Sequence, residues 1–305
     1  MPTQHSLCVT DDNNGVRIDK VLSEEFPDIS RSFIQKLIKD EKITVNGKTI
    51  KSNYKTAASD MINIEIPDAV ETDILPENIP LDIVYEDEDI IVINKPKGMV
   101  VHPAPGHYSG TMVNALMYHC KDNLSGINGV LRPGIVHRID MDTTGIIVAC
   151  KNDFSHRSLA EQLKNHSITR KYEAIVYNCF KEKTGTVDAP IARNSIDRKK
   201  MAIDRVNGRN AVTHYTVIKN LKGYAHIECQ LETGRTHQIR VHMASIKHPL
   251  LGDSVYGPAK CPYNLTGQTL HARTLGFIHP RTGKYVEFTS ELPDYFNKLL
   301  LLLDK

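Results

Sequence analysis

Apolar positions follow a helical period in one segment near the start of the chain and a strand-like pattern directly after it. In ISRSFIQKLIKDEKI, apolar residues return every three or four positions, and Ser30 or Ser32 stands where a helix N-cap belongs. In ITVNGKTI, an Asn-Gly pair separates two short runs and predicts a hairpin. A small α/β unit is therefore predicted, whose helix buries Ile29, Phe33, Leu37 and Ile38.

From about residue 82, strand-length apolar runs alternate with helical patterns, without the regular repeat of a parallel sheet. This pattern favours an α+β fold with a mixed, largely antiparallel sheet. Strands are predicted in DIIVINKPKGMVV, TTGIIVACK, KYEAIVYN, AVTHYTVIKN and AHIECQLETG, helices in GTMVNALMYHC, DFSHRSLAEQLKNH and RTHQIRVHMASI, and a closing strand-helix pair in KYVEFTSELPDYFNKLLLLLDK.

An acidic segment separates these two patterns. Residues 68–89 contain nine acids and two prolines but no Lys or Arg. Such a segment is a poor contact for phosphate and suits a linker. We therefore predict a first domain at 15–66, a linker at 67–81 and a second domain at 82–305.

Composition describes a globular chain of 305 residues, with 40% hydrophobic and 24% charged residues. The six cysteines are scattered without a CxxC pair, which favours free thiols in a reducing compartment. The first residues carry no export pattern, and no apolar run approaches the roughly 20 residues of a membrane span. A cytoplasmic protein with no membrane partner is expected.

The net charge of +2 does not by itself indicate nucleic acid, but basic residues cluster in two places. Between Arg31 and Lys55 there are seven basic residues against two acids. The segment ARNSIDRKKMAIDRVNGRN at 192–210 holds six against two and reads as a polar hairpin. Either cluster can follow phosphates, or be a solvated surface.

Three clusters of polar residues stand at the ends of apolar runs, namely HRIDMDTTG, TRKYEAIV and ETGRTHQIRVHMA. A metal site is disfavoured because His237 and His242 are five residues apart, whereas a helical pair needs a spacing of four. The other histidines available as ligands are His137 and His271. The chain has neither a Gly-x-Ser-x-Gly elbow nor a phosphate-binding loop motif.

A carboxylate paired with an arginine is the chemistry that remains. An aspartate that acts at neutral pH must be ionised and fixed in orientation, and a bidentate arginine can do both. The candidate acids in HRIDMDTTG are Asp140 and Asp142, and the candidate arginines are Arg138, Arg235 and Arg240. For any one of these arginines, an ordinary ion pair is an equally simple interpretation.

HRIDMDTTGIIVACK closely resembles the signature of the RluA/RluD-type pseudouridine synthases. NKPKGMVVHP, KYEAIV, ETGRTHQIRVHMA, GDSVYG and LHARTLGFIHP resemble further blocks of that family, in its order. The departures are Ile139 in place of Leu and Thr144 in place of Ser. The resemblance covers roughly residues 82–290, and residues 17–65 resemble the alpha-L RNA-binding domain that many members carry.

The resemblance implies an isomerase that converts uridine to pseudouridine in RNA, most simply in large-subunit (23S) ribosomal RNA. It implies Asp140 as the catalytic acid, with Asp142 as a turn acid, and Arg235 as the arginine that pairs with the carboxylate. Tyr172 would stack on the base or act as a general base, and Arg138 would fill the space that the flipped base leaves. Expected RNA contacts are Arg138, Arg17, Arg31, Lys36, Lys48 and Arg240.

No cofactor and no metal are expected, because isomerisation within one nucleotide transfers neither electrons nor a phosphoryl group. Expected partners are ribosomal RNA or a pre-ribosomal particle, bound by a monomer in rRNA modification and ribosome biogenesis. Two alternatives stay open. One is a tRNA pseudouridine synthase of the same family, and the other is a catalytically idle RNA-binding assembly factor.

Overall fold

A computed structural model describes residues 3–26, 31–66, 74–104, 107–121, 123–127, 132–197 and 200–305, except for the side chains of residues 3, 32 and 36. The chain divides into two compact units, Met1–Glu71 and Thr72–Lys305. The division falls inside the segment 67–81 that the sequence assigns to a linker.

The first unit is a four-stranded antiparallel sheet with two helices. The strand order is β1-β4-β2-β3, so the N-terminal strand is an edge. This unit therefore begins well before residue 15, the predicted start. Its elements are β1 (Thr3–Cys8), α1 (Ile18–Glu25), α2 (Arg31–Lys39), β2 (Ile43–Val45), β3 (Lys48–Thr49) and β4 (Met61–Ile66), with a 3-10 turn at Asp11–Asn13.

The core of the first unit comes largely from α2 and the strands that face it. The predicted hairpin is confirmed, since Asn46 and Gly47 both have positive φ, 50° and 74°, between β2 and β3. The predicted helix face is shifted, because Ile34 is buried while Phe33 is 36% exposed. Of the other residues named for this helix, Leu37 and Ile38 are buried, and Ile29, Ser30 and the Ser32 side chain lie outside the described residues.

The second unit contains eleven described strands, nine of them in one sheet. These strands are β5 (Ile83–Glu86), β6 (Ile90–Lys95), β7 (Thr144–Cys150), β8 (Thr169–Tyr177), β9 (Thr184–Asp188), β10 (Ile191–Arg193), β11 (Met201–Ile203), β12 (Val212–Asn220), β13 (Tyr224–Leu231), β14 (Leu270–Ile278) and β15 (Tyr285–Thr289). The helices are α3 (Met112–Cys120), α4 (Asp153–Lys164), α5 (Gln238–Ser245) and α6 (Asp294–Leu303).

Nine strands form the order β5-β6-β7-β14-β8-β13-β12-β9, with β15 on β14. Only β7 and β14 pair in parallel among the described strands. The predicted α+β class with a mixed, largely antiparallel sheet is confirmed. A separate antiparallel pair, β10-β11, falls in the segment 192–210 that the sequence interprets as a polar hairpin, of which residues 198 and 199 lie outside the described residues.

Close pairing of β7 with β14 depends on a glycine. Gly145 has φ 109°, and a Cβ at this position would lie 2.2 Å from the carbonyl oxygen of Ala272. Every residue of β7 is buried, which explains why the sequence shows an unbroken apolar run there.

The second half of the predicted linker belongs to the second unit. Ile74 is buried in its main apolar core, and Asn114 of α3 donates to the carbonyl of Leu75 at 2.9 Å. Acidic residues and prolines in the sequence identify a boundary between units, but they do not show with which unit each residue of the segment packs. Among the described residues, no helix is both long and apolar enough to cross a membrane.

Candidate active site

Asp140 lies in a turn at the entrance to the buried strand β7. Its carbonyl accepts from the backbone of Thr143 at 3.0 Å. The turn is held by Lys95, at the end of β6, whose side chain is completely buried. Burial lowers the pKa of Lys95 to about 7, while the charges of Asp142 and Asp140 act to raise it. Its nitrogen has three carbonyl acceptors, a set that favours the ammonium form: Pro96, Met99 and Met141, at 2.8, 2.8 and 2.9 Å.

The carboxylate of Asp140 pairs with Arg240 of α5. Nη1 of Arg240 donates to Oδ2 of Asp140 at 2.9 Å. The same guanidinium binds Asp253 bidentately, with Nε at 2.7 Å and Nη2 at 3.0 Å from its oxygens. Asp253 has a fully buried side chain, whereas that of Asp140 is 18% exposed. The buried acid therefore fixes the arginine, and the arginine fixes the acid that faces the cavity.

Both members of the buried pair favour their charged forms. Burial alone would lower the pKa of Arg240, but hydrogen bonds and charges from Asp253 and Asp140 raise it above its usual range. Burial acts to raise the pKa of Asp253, but Arg240 and the backbone N–H groups of Val255 and Tyr256 lower it. A charged guanidinium edge is thus presented to Asp140 at neutral pH.

Arg235, which the resemblance assigns as the partner of the carboxylate, makes a different contact. Its Nε donates to the carbonyl of Asn210 at 2.9 Å, and its backbone N–H donates to Gln238. The predicted pairing is wrong because Arg235 lies in the loop before α5, while Arg240 lies on the first turn of the helix and reaches Asp140. Arg240, expected to contact RNA, is instead 6% exposed and engaged by two acids.

The cavity in front of Asp140 has a volume of about 480 Å³. Tyr172 of β8 forms part of its wall and is 8% exposed. Burial raises the pKa of Tyr172, and the charge of Asp140 adds to this, although Arg170 opposes it. The phenol therefore stays protonated at neutral pH. Arg138 and Arg235 line the same cavity, so the structure brings these predicted residues together around Asp140.

His237 and Tyr256 form a second polar contact beside Asp140. Nε2 of His237 lies 3.9 Å from Oδ2 of Asp140, and its Nδ1 lies 2.8 Å from the hydroxyl of Tyr256. That hydroxyl already accepts from the backbone N–H of Met201 in β11 at 2.8 Å. In the arrangement that gives the hydroxyl proton an acceptor, Tyr256 donates to Nδ1, and the proton of a neutral His237 lies on Nε2, facing Asp140.

The histidines considered as metal ligands are engaged separately. Nε2 of His137 accepts from the backbone of Val148 at 3.1 Å, and burial, followed by the charge of Arg170, lowers its pKa to about 3. His242 contacts Thr213 and the carbonyl of Ala189, and His271 contacts Thr144 and Ser290. The structure thus gives each of them a local hydrogen-bonding role.

A different trio has the spacing of metal ligands. Ligand atoms of Asp87, Asp89 and His279 lie within 4.8 Å of one another. Asp89 is, however, paired with the guanidinium of Arg281, and Asp87 accepts from His279 at 2.8 Å. Arg281 thus neutralises Asp89, and His279 gives Asp87 a hydrogen-bonding partner, so a polar network explains the cluster.

The residues of the first unit that were expected to contact RNA differ in their exposure and in their partners. Arg17 and Arg31 each bind the fully buried carboxylate of Asp19 through two nitrogens, with their own side chains 47% and 50% exposed. Lys48 is exposed on β3. Lys36 lies in α2, but its side chain is outside the described residues. A buried acid thus orders two half-exposed arginines.

Comparison with known proteins identifies the family. The RNA pseudouridylate synthase family matches residues 89–245, and the S4 domain matches residues 16–62. An uncharacterised RNA pseudouridine synthase of Bacillus subtilis (strain 168) is 51% identical over 302 residues, covering 99% of both chains. The chain belongs to the RNA pseudouridylate synthase family. It is therefore an isomerase that acts on RNA, with an RNA-binding S4 domain in front.

Further relatives and solved structures agree with this membership. A protein named ribosomal large subunit pseudouridine synthase D from Zymomonas mobilis is 47% identical over 313 residues, covering 99% of this chain and 98% of the relative. The structure of human RNA pseudouridylate synthase domain containing 4 superposes with a TM-score of 0.56 and 27% identity, over 72% of this chain and 92% of that one. Human RNA pseudouridylate synthase domain containing 1 shares the fold at 23% identity and a TM-score of 0.58, over 74% and 96%.

Sequence reasoning missed the roles of several residues around Asp140. Asp253 and Tyr256 lie in GDSVYG, and Lys95 lies in NKPKG, both of which the sequence singles out only as blocks. A signal was present for Asp253, because an acid beside an apolar run needs a partner if it is buried. Nothing in the sequence indicates that its partner is Arg240.

Proposed function

We propose that the chain converts uridine to pseudouridine in large-subunit ribosomal RNA, with Asp140 as the acting carboxylate. The observation that carries this proposal is the Asp140 carboxylate, held by Arg240 at the wall of a cavity that also contains the ring of Tyr172. Relatives from three organisms named ribosomal large subunit pseudouridine synthase D support the choice of RNA. A cytoplasmic location and a pre-ribosomal substrate are part of the same proposal.

The reaction centres on one ionised, oriented carboxylate, beside which neutral His237 lies at 3.9 Å. The bond between N1 of uracil and C1′ of ribose breaks, the base turns, and a bond forms between C5 and C1′. C5 then loses its proton and N1 gains one, so the product is an isomer and no electrons leave the nucleotide. Asp140 serves either by adding to C1′ or by removing a proton from the sugar.

The cavity wall offers a place for a base taken out of its stack. Tyr172 can stack on uracil, a contact worth roughly 1–3 kcal/mol per base. Its raised pKa, caused first by burial, favours a role as stacking partner and proton donor over that of a base. Arg138 is exposed beside the cavity, where it can occupy the space that the flipped uridine leaves.

The S4 domain, with its boundary near residue 66, supplies further RNA contacts in this proposal. Arg17 and Arg31 keep half of their side chains exposed while Asp19 orients them, and Lys48 is exposed on the same unit. Basic residues that neutralise phosphates release counterions, so this part of the binding should weaken as salt rises.

Pseudouridine mapping in a strain lacking the gene tests the proposal. At least one pseudouridine in large-subunit rRNA should disappear, and the wild-type gene should restore it. Asp140→Asn should not restore it. Asp142→Asn, the same substitution at an acid two residues away, should restore it. Loss of tRNA sites instead would favour the tRNA alternative, and unchanged maps with RNA still bound would favour an idle assembly factor.

A further inference from the structure

Arg170 is a buried arginine for which no acidic partner is found among the described residues. It is 7% exposed, its Nη2 donates to the carbonyl of Glu232 at 2.9 Å, and its Nε has no hydrogen-bond partner. Arg240, the other buried arginine beside the cavity, has the carboxylates of Asp140 and Asp253. Burying a charge without compensation destabilises a protein by several kcal/mol, so Arg170 calls for an explanation that the ion pairs of the fold do not give.

Arg170 faces the same cavity as Tyr172. The two residues are two apart on β8, both are buried, and strand geometry places side chains at this spacing on one face, roughly 6.6 Å apart. Gly234 leaves space for the guanidinium, because a Cβ there would lie 2.4 Å from Nη1 of Arg170. Sequence and packing therefore keep this arginine at the cavity.

The charges around the cavity are unbalanced. Its lining includes the cationic side chains of Arg138, Lys164, Arg170 and Arg235, against the single carboxylate of Asp140. That carboxylate is already paired with Arg240. The charge of Arg235 is close enough to lower the pKa of Arg170, after the larger effect of burial. A ligand that brings negative charge to this wall would offset both the burial of the Arg170 charge and its repulsion by Arg235.

We propose that Arg170 binds a phosphate of the RNA backbone next to the target uridine. The inference rests on the proposed function, and it names the ligand that balances the charge of the cavity. A phosphodiester is the anion that a flipped nucleotide carries beside its base, and a guanidinium matches its geometry with parallel N–H donors. If the base stacks on Tyr172, a phosphate next to it would lie within reach of Arg170, which is roughly 6.6 Å further along the same face of β8.

The competing explanation is that Arg170 only supports the fold through the carbonyl of Glu232. The two explanations differ for Arg170→Gln, which removes the charge. A structural role predicts lower thermal stability and unchanged RNA binding. A phosphate role predicts RNA binding weakened by roughly 10- to 100-fold, with a melting temperature that is unchanged or higher because an uncompensated charge is gone.

Lys171→Gln is the matched control. Lys171 is the next residue on β8, carries the same charge, is half-buried and lies near Glu228 at 3.8 Å. We would measure the affinity of the full chain for a synthetic RNA stem-loop that the wild-type protein converts, across a series of salt concentrations. Arg170→Gln should reduce the slope of log affinity against log salt by about 0.7, while Lys171→Gln should match the wild type within about twofold.

A neutral linkage in the RNA identifies the phosphate. Each phosphate flanking the target uridine is replaced in turn by a methylphosphonate, which keeps its shape and removes its charge. One replacement should weaken binding by the wild-type protein and by Lys171→Gln but cause no further loss with Arg170→Gln. Arg170→Lys, which keeps the charge, should retain the salt slope and remain sensitive to that linkage.

Two results would overturn the inference. One is wild-type binding that no single neutral linkage near the uridine weakens, a measurement that does not depend on any variant folding. The other is an Arg170→Gln protein that loses stability but keeps the wild-type affinity and salt slope. Failure of the proposed function is distinguishable, because the wild-type protein would then form no pseudouridine in any rRNA fragment.

Discussion

Arg240 contacts Asp140 with one edge of its guanidinium while Asp253 holds the other edge. Nη1 lies 2.9 Å from Oδ2 of Asp140, and two further nitrogens lie 2.7 and 3.0 Å from Asp253. Because Asp253 is buried and Arg240 nearly so, the position of the Asp140 carboxylate is set from the interior of the protein rather than by solvent. The pair therefore preorganises the acid before RNA arrives.

Arg240→Lys should slow the chemical step on the order of 100-fold while changing RNA affinity little. Lysine keeps the charge, but its single nitrogen cannot contact Asp140 and bind Asp253 bidentately at once, and small misplacements of a reacting group have effects of this size. Single-turnover kinetics with excess enzyme separates the chemical step from binding.

Arg235→Lys is the matched comparison, since Arg235 lines the same cavity without contacting Asp140. We expect it to affect binding more than the chemical step. Equal losses in the chemical step for both variants would mean that the contact to Asp140 is not what orients the acid.

The sequence predicted most of the long elements of the second unit, because their apolar runs are long. The run before Lys151 is β7, and the helical pattern of RTHQIRVHMASI is α5. The sequence did not predict β14, a mostly buried strand inside the sheet, because His271, Arg273 and Thr274 interrupt its apolar run. Short or exposed elements were also missed. The edge strand β1 was missed because its residues, Thr3–Cys8, are mostly polar and pair with one neighbour only.

The candidate site was predicted in its residues but not in its pairings. Asp140, Tyr172 and Arg138 do line one cavity. The choice between Arg235 and Arg240 could not come from the sequence, because both follow the same strand and only the helical turn of α5 decides which one reaches Asp140. Long-range contacts such as Arg240 with Asp253 depend on tertiary packing that no local pattern encodes.

Tyr172→Phe should leave RNA affinity within about threefold, because the ring that stacks on the base is retained. Burial raises the pKa of the Tyr172 phenol, so the group lost is a neutral O–H and not a phenolate. The rate of pseudouridine formation should therefore fall by a similar factor across the neutral pH range. A wild-type rate that rose with pH into the alkaline range, together with a Tyr172→Phe rate that did not, would identify Tyr172 as a titrating base instead.

Asp19→Asn should destabilise the first unit by about 1.5–3 kcal/mol at neutral pH, the range for hydrogen bonds to a charged group. Burial acts to raise the pKa of Asp19, but hydrogen bonds from Arg17, Arg31 and Gln35 lower it below its usual range. Because the pKa of Asp19 is lower in the folded state than its ordinary value of about 3.9, the ionised carboxylate stabilises the unit at pH values above about 3.9. This contribution is lost progressively as the pH falls below that value.

Hydrogen exchange of the amides in α1, measured on the full chain, reports the stability of this unit alone. The difference between wild type and Asp19→Asn should be constant from pH 7 to about 5 and shrink below about pH 4. Leu163→Ala, a change in the second unit, should leave the protection of α1 unaltered. A difference that stayed constant down to pH 3 would contradict an ionised, paired Asp19.

Tyr256→Phe should slow pseudouridine formation by about 10-fold, the equivalent of one hydrogen bond, and shift its acid limit to higher pH. The Tyr256 hydroxyl lies 2.8 Å from Nδ1 of His237, where its proton stabilises the neutral ring. Burial is the main cause of the lowered pKa of His237, opposed by the charge of Asp140. Without the hydroxyl, protonation of Nδ1 becomes easier, so the pKa of His237 rises and the neutral form is lost at a higher pH.

Tyr215→Phe is the control for this change, because it deletes the same atom from a half-buried tyrosine of β12 that does not line the cavity. Its rate and pH profile should match those of the wild type. The Tyr256 hydroxyl also accepts from the backbone N–H of Met201 in β11. The defect of Tyr256→Phe should persist with saturating RNA, since the lost hydroxyl acts on His237 within the protein. A defect that vanished at saturation would instead mean that Tyr256 acts through RNA affinity and not through the state of His237.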